Sequence, residues 1–120
     1  MKTHELTIWN HPYPFLDRII DGSKTIEGRT YSPFFQKIEV GDRLKLFNRE
    51  KWVLCEIKAL RRYETFRQML EKETLQRVLP GHLNIDTAIQ MYRKFPHFEE
   101  NEKRYGVVAI EIETISSGNF

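Results

Sequence analysis

Lys24, Glu27 and Arg29 follow directly on the turn Asp21-Gly22-Ser23, two cations bracketing one carboxylate. A lysine supplies a point charge with three donors, and an arginine supplies a planar fork that matches phosphate. A carboxylate between them accepts from an exocyclic amine or moves a proton. Read as a strand, Lys24 to Thr30 places Thr25, Glu27 and Arg29 on one face and Ile26 and Gly28 on the other, with Lys24 at its start. That set suits a polyanionic or nucleobase ligand, with Lys24, Thr25, Glu27 and Arg29 as its contacts. The same i, i+2 spacing also allows Glu27 and Arg29 to form a plain structural ion pair. Gly28, inside the strand, marks a bulge or a close approach by another backbone or a ligand.

Aromatic residues flank this strand in sequence. Trp9 and Tyr31 are the better stacking candidates, because strand alternation turns them away from the aliphatic face; Tyr13, Phe34 and Phe35 compete with core filling. Lys58, Arg61, Arg62 and Arg67 form a second basic cluster, but the interleaved Glu56, Glu64, Glu71 and Glu73 make a mixed solvated face the better reading. His11 and His82 are acid or base candidates in loops, where most histidines do no chemistry. Cys55 falls on an apolar strand face and reads as a small buried hydrophobe. No phosphate-binding glycine loop and no Gly-x-Ser-x-Gly elbow occurs.

The elements that must position these residues follow from periodicity. Glu5 to Trp9 alternates as a short strand; Pro12 and Pro14 suit the first turn of a helix whose stripe is Phe15, Leu16, Ile19 and Ile20, with Gly22 as its stop. Tyr31 to Lys37 reads as an aromatic loop. Leu44 and Leu46, then Val53, Cys55, Ile57 and Ala59, alternate across a hairpin. From Thr65 the period becomes helical, in two short pieces ending at Pro80-Gly81, and Asn84 caps a further helix through Tyr92 and Phe95. Phe98 to Lys103 reads as a charged connection, Val108 to Glu113 as a closing strand, and Ser116 to Phe120 as a loose polar tail. The order strand, helix, strand, strand, strand, helices, strand excludes a doubly wound sheet. It favours an α+β fold, a small curled and mostly antiparallel sheet or barrel with helices around it.

Composition sets the remaining bounds. A chain of 120 residues, 40% hydrophobic and 30% charged, fits one domain spanning 1–120 with a single core. The formal charge of +2 leaves any attraction to nucleic acid to a local patch. One cysteine and four separated histidines argue against a disulfide or a metal site and for a reducing, cytoplasmic setting; no cofactor is implied. No apolar run reaches the ~18 residues of a membrane span, so no membrane partner is expected.

The run Gly22-Ser23-Lys24-Thr25-Ile26-Glu27-Gly28-Arg29 resembles the Gly-x-Lys-x-x-Glu-x-Arg motif of the ASCH domain, a branch of the PUA-like superfamily. Val40-Gly41-Asp42, Arg61-Arg62-Tyr63, Leu79-Pro80-Gly81 and Tyr105-Gly106-Val107-Val108-Ala109-Ile110 look like the small stand-alone members, and the likeness runs from Leu6 to Glu113. The resemblance implies a PUA-like β-barrel of five to six strands with peripheral helices and a cleft for RNA or a modified nucleoside or nucleotide, with Lys24, Glu27 and Arg29 in it. Some members are amidohydrolases that deacetylate N4-acetylcytidine with a lysine, a threonine three residues later and a distant glutamate. Here Lys24 matches the lysine, but Glu27 stands at the threonine position, and Thr25 is at the wrong spacing to replace it. Three readings follow: an RNA- or nucleotide-binding module; an amidohydrolase in which Lys24 and Glu27 are catalytic and handle the proton; and a non-catalytic protein-interaction adaptor.

Overall fold

The computed structural model describes all residues, Met1–Phe120. Five strands form one mixed sheet: β1 (Thr3–Thr7), β2 (Ile26–Thr30), β3 (Arg43–Phe47), β4 (Lys51–Tyr63) and β5 (Val107–Asn119), in the order β1-β3-β4-β5-β2. Only β1 and β3 run parallel; the other three pairings are antiparallel. Six short helices complete the chain: α1 (Phe15–Ile20), α2 (Pro33–Gln36), α3 (Phe66–Glu73), α4 (Leu75–Val78), α5 (Ile85–Tyr92) and α6 (Phe98–Tyr105).

The α+β class stands, but the expected barrel does not close: β1 and β2 are the free edges of the sheet. The long β4–β5 ribbon carries register shifts at Leu54/Cys55 and Ile57/Ala59, and such bulges bend a ribbon and increase its twist. Curling brings the two edges to opposite walls of one cleft, where Leu6 to Trp9 face Glu27 to Thr30. The seam that would have to be hydrogen-bonded to close a barrel is therefore the opening of the cleft.

Local chemistry explains most boundaries. Leu44, Leu46, Val53, Cys55 and Ile57 are fully buried on the inner face of the hairpin, as their two-residue period requires. Thr65 caps α3 by accepting from Gln68 N, and Asn84 caps α5 by accepting from Thr87 N. Gly22 ends α1 with a φ of +84°.

Four sequence expectations need correction. The first strand ends at Thr7, which leaves Trp9 beyond it. The aromatic loop contains the single turn of α2, begun by Pro33 at the position where its missing N–H is harmless. Phe98 to Tyr105 is a helix: only Phe98 buries a side chain, so no apolar stripe announces it, yet Glu99 and Glu100 in the first turn and Lys103 and Arg104 in the last complement its dipole. The tail is no loose end, since Ser116 to Asn119 pair with Leu54 to Lys51.

Candidate nucleotide-binding cleft

The charged stretch is placed by the turn before it. Asp21 accepts from Ser23 N (2.8 Å) and Ser23 Oγ (2.6 Å), and Lys24 N donates back to Arg18 O at 2.9 Å. The chain then passes beneath α4, where Lys24 is 1% exposed. Its ammonium donates to Ile26 O and Val78 O, each at 2.5 Å, and meets Glu27 Oε1 at 3.2 Å. All three donors are thus taken, one by an orphan carbonyl at the C-terminal end of α4.

Glu27 is 3% exposed and bridges two cations, because Arg29 Nε donates to its Oε2 at 3.0 Å. Burial pushes the Glu27 carboxyl up, and the Lys24 and Arg29 charges outweigh it and hold the group below its ordinary range. Burial pulls Lys24 down from its ordinary value, against the attraction of Glu27. The asymmetry has a simple cause: Glu27 has two cations beside it, whereas Lys24 has one anion and feels the repulsion of Arg29. Arg29 uses only Nε in hydrogen bonding; its terminal nitrogens have no protein acceptor, and its guanidinium lies 5.7 Å from the Phe35 ring.

Glu27 and Arg29 border a cleft of about 340 Å³. Glu27, Gly28 and Arg29 form one wall and Leu6 to Trp9 the other, while aromatic rings from α3, α5 and α6 close the base. The Tyr92 ring is fixed there by Phe66 (4.4 Å) and Phe98 (5.9 Å, interplanar 11°). Its hydroxyl is buried and has no hydrogen-bond partner. Burial, and then the Glu27 charge, raise its pKa well above the ordinary value, so it remains a donor. A buried hydroxyl left unpaired costs about 1–3 kcal/mol.

Of the residues singled out by sequence, Glu27, Arg29 and Trp9 line the cleft, and Trp9 packs edge-on against Phe95 with ring centres 4.8 Å apart. Lys24 lies behind Glu27 and does not line it. Thr25 and Tyr31 also lie outside it. The Thr25 backbone bonds to Arg77 O (3.2 Å) and Ile112 N (2.9 Å), and the Tyr31 ring carries the Arg62 guanidinium at 4.0 Å. Gly28 marks no backbone approach: it lines the cleft, and a Cβ there would meet Met69 Cε at 2.5 Å, so its close protein neighbour is a side chain of α3. Sequence reasoning missed Tyr92, Phe95, Phe98 and Asn101 as cleft residues. The Tyr92 and Phe95 spacing was itself the available signal, since one helical stripe both packs on the core and lines the cleft.

Three members of the second basic cluster, Lys58, Arg61 and Arg67, are paired with carboxylates, and Arg62 lies on the Tyr31 ring. Arg61 holds the buried Glu73 through Nε (2.6 Å) and Nη2 (2.7 Å) and reaches Glu111 at 2.8 Å, and Arg67 meets Asp86. No three His, Cys, Asp or Glu side chains converge to hold a metal ion, and no helix is long and apolar enough to cross a membrane.

No curated protein matches this chain. Two solved structures are similar to it over nearly their whole length. The crystal structure of hypothetical protein PH0355 is 39% identical, with a TM-score of 0.84, covering 96% of this chain and 100% of that one. The solution NMR structure of protein PF0455 from Pyrococcus furiosus is 42% identical, with a TM-score of 0.76, covering 97% and 99%. The ASCH domain family model matches residues 10–116, which include the Lys24–Arg29 stretch, all six helices, strands β2 to β4 and most of β5. The chain belongs to the ASCH domain family.

Proposed function

We propose that the cleft receives a base of RNA or of a modified nucleotide, making this chain a binding domain for that class of ligand. The observation that carries the reading is the unpartnered Tyr92 hydroxyl buried beside a carboxylate that two cations keep ionised. Glu27 offers acceptors to an exocyclic amine or ring N–H, and Tyr92 offers a donor to a ring nitrogen or carbonyl. The free end of Arg29 offers a fork to phosphate, and Trp9 offers a stacking face at the mouth. Lys24 acts as a positioning residue that fixes the Glu27 carboxylate.

Binding is favoured over hydrolysis because Lys24 does not line the cleft: it lies behind Glu27 with its donors taken by Ile26 O, Val78 O and the Glu27 carboxylate. It is favoured over a protein adaptor because the recognition groups sit in a concave cleft. Cys55, buried and unpaired, fits a reducing, cytoplasmic setting.

Calorimetric titration with nucleoside monophosphates tests the reading through Tyr92→Phe and Arg29→Gln. Tyr92→Phe should weaken binding by about threefold to tenfold, one neutral hydrogen bond, and leave thermal stability equal or higher. Arg29→Gln should weaken it by about tenfold or more, with a flatter salt dependence. Parent-like affinity in Tyr92→Phe would remove the reading. N4-acetylcytidine incubated with the parent should yield no cytidine.

A further inference from the structure

An open groove of about 460 Å³ adjoins the cleft and shares Thr7, Ile8 and Trp9 with it. Trp9 is 52% exposed and Phe120 71% exposed; they flank this groove, and Phe47 lies between β1 and the hairpin turn. Large rings left exposed along one groove make an apolar patch of the kind that meets a partner. The turn is built, not loose: Asn48 Oδ1 accepts from Glu50 N and Lys51 N, both at 2.8 Å, and Phe120 N donates to Glu50 O at 2.9 Å. The Lys45 ammonium stands 5.8 Å from the Phe120 ring, and Arg49 lines the groove. Neither cation forms an ion pair, in contrast to Arg61, Arg67 and Arg77, which are each bonded to a carboxylate. No acidic side chain lines the groove.

We infer that this groove is a second base subsite, so that the ligand is a single-stranded oligonucleotide of at least two nucleotides that crosses Trp9. One base enters the cleft; its neighbour stacks on Trp9 and Phe120, and a phosphate of the strand meets Arg49. Stacking on aromatic rings beside unpaired cations is how single strands are held without sequence reading. The inference rests on the proposed base-binding reading of the cleft and adds the length and strandedness of the ligand.

Calorimetry with the full chain separates the two. A nucleoside monophosphate, a dinucleotide and a single-stranded tetranucleotide are titrated into the parent and into Arg49→Gln/Phe120→Ala, whose altered side chains are exposed, so that fold loss is checked by an unchanged melting temperature. The dinucleotide should bind the parent about tenfold or more tightly than the monophosphate. The double variant should lose that gain, keep monophosphate affinity, and show a salt slope for the tetranucleotide shallower by about 0.7. Equal affinity for monophosphate and dinucleotide, or a double variant indistinguishable from the parent, overturns the second subsite and leaves the cleft reading intact. Absence of binding by all three ligands overturns both.

Discussion

Replacing Lys24 by methionine keeps an unbranched, apolar four-atom stem of similar bulk and removes the ammonium. In the structure that ammonium satisfies Ile26 O and Val78 O and supplies one of the two charges that hold Glu27 in a site 3% exposed. Each carbonyl stripped of its donor loses about 1 kcal/mol or more, and a buried carboxylate losing one of two cations raises the total to about 3–5 kcal/mol. For 120 residues the unfolding entropy is about 0.25 kcal/mol per kelvin, so the melting temperature should fall by about 12–20 °C. Urea denaturation of Lys24→Met, Glu27→Gln and the double variant forms a cycle. The double variant should be less destabilised than the sum of the singles by about 2 kcal/mol, because neither retains an orphaned charge. A loss under about 1 kcal/mol for Lys24→Met, or strict additivity, would refute the claim that this lysine exists to position Glu27.

Further outcomes follow from the same contacts. Asp42 accepts from His4 Nε2 (2.8 Å) and from the backbone of Lys2 and Glu39, and those bonds, His4 first, lower its carboxyl from 3.8 to about 2. A depressed folded value means that its contribution is complete above the unfolded value and is lost as the pH falls through about 2; urea midpoints of the parent should therefore drop over that window more steeply than those of Asp42→Asn, and equal slopes would contradict it. Burial pushes the Cys55 thiol up to about 12, so a thiol reagent at mildly alkaline pH should find no reactive group in the folded protein and one after denaturation. Gly106 has φ +73° and ψ −162°, a region open essentially to glycine alone, and a Cβ would meet Tyr63 O at 2.9 Å. Gly106→Ala should then cost about 2–3 kcal/mol by chemical denaturation, more than Gly28→Ala, whose Cβ meets side chains and not backbone, the end of Met69 at 2.5 Å and Phe66 Cε1 at 3.4 Å.

What was legible in the sequence was local. The Leu44–Leu46 and Val53–Ile57 alternation, the helical period from Thr65, the Asn84 cap and the Gly22 stop each depend on neighbours within four residues, and each appears where its pattern placed it. The motif also located the charges: Glu27 and Arg29 do meet, and they border the cleft. What was hidden depends on distant partners. Nothing in Lys24 itself shows that Val78, 54 positions on, would take one of its protons. Nothing in Tyr92 distinguishes a fully paired core ring from one whose buried hydroxyl is left without a partner. The open seam between β1 and β2 depends on how far the β4–β5 bulges bend the sheet, and no periodicity records an angle. The helix at Phe98 was concealed for the opposite reason: it is held by charge placement and by Glu102 accepting from Phe66 N at 2.8 Å, with little apolar surface to mark it.

The central claim is that ligand binding takes place in the seam and not on the paired basic face. Backbone and indole N–H resonances followed during titration with a short single-stranded RNA test it directly. The account predicts that the largest shifts fall on the Trp9 indole, Gly28, Arg29 and Tyr92. Shifts centred on Arg61, Arg67 and Arg77, with the Trp9 indole unmoved, would contradict it.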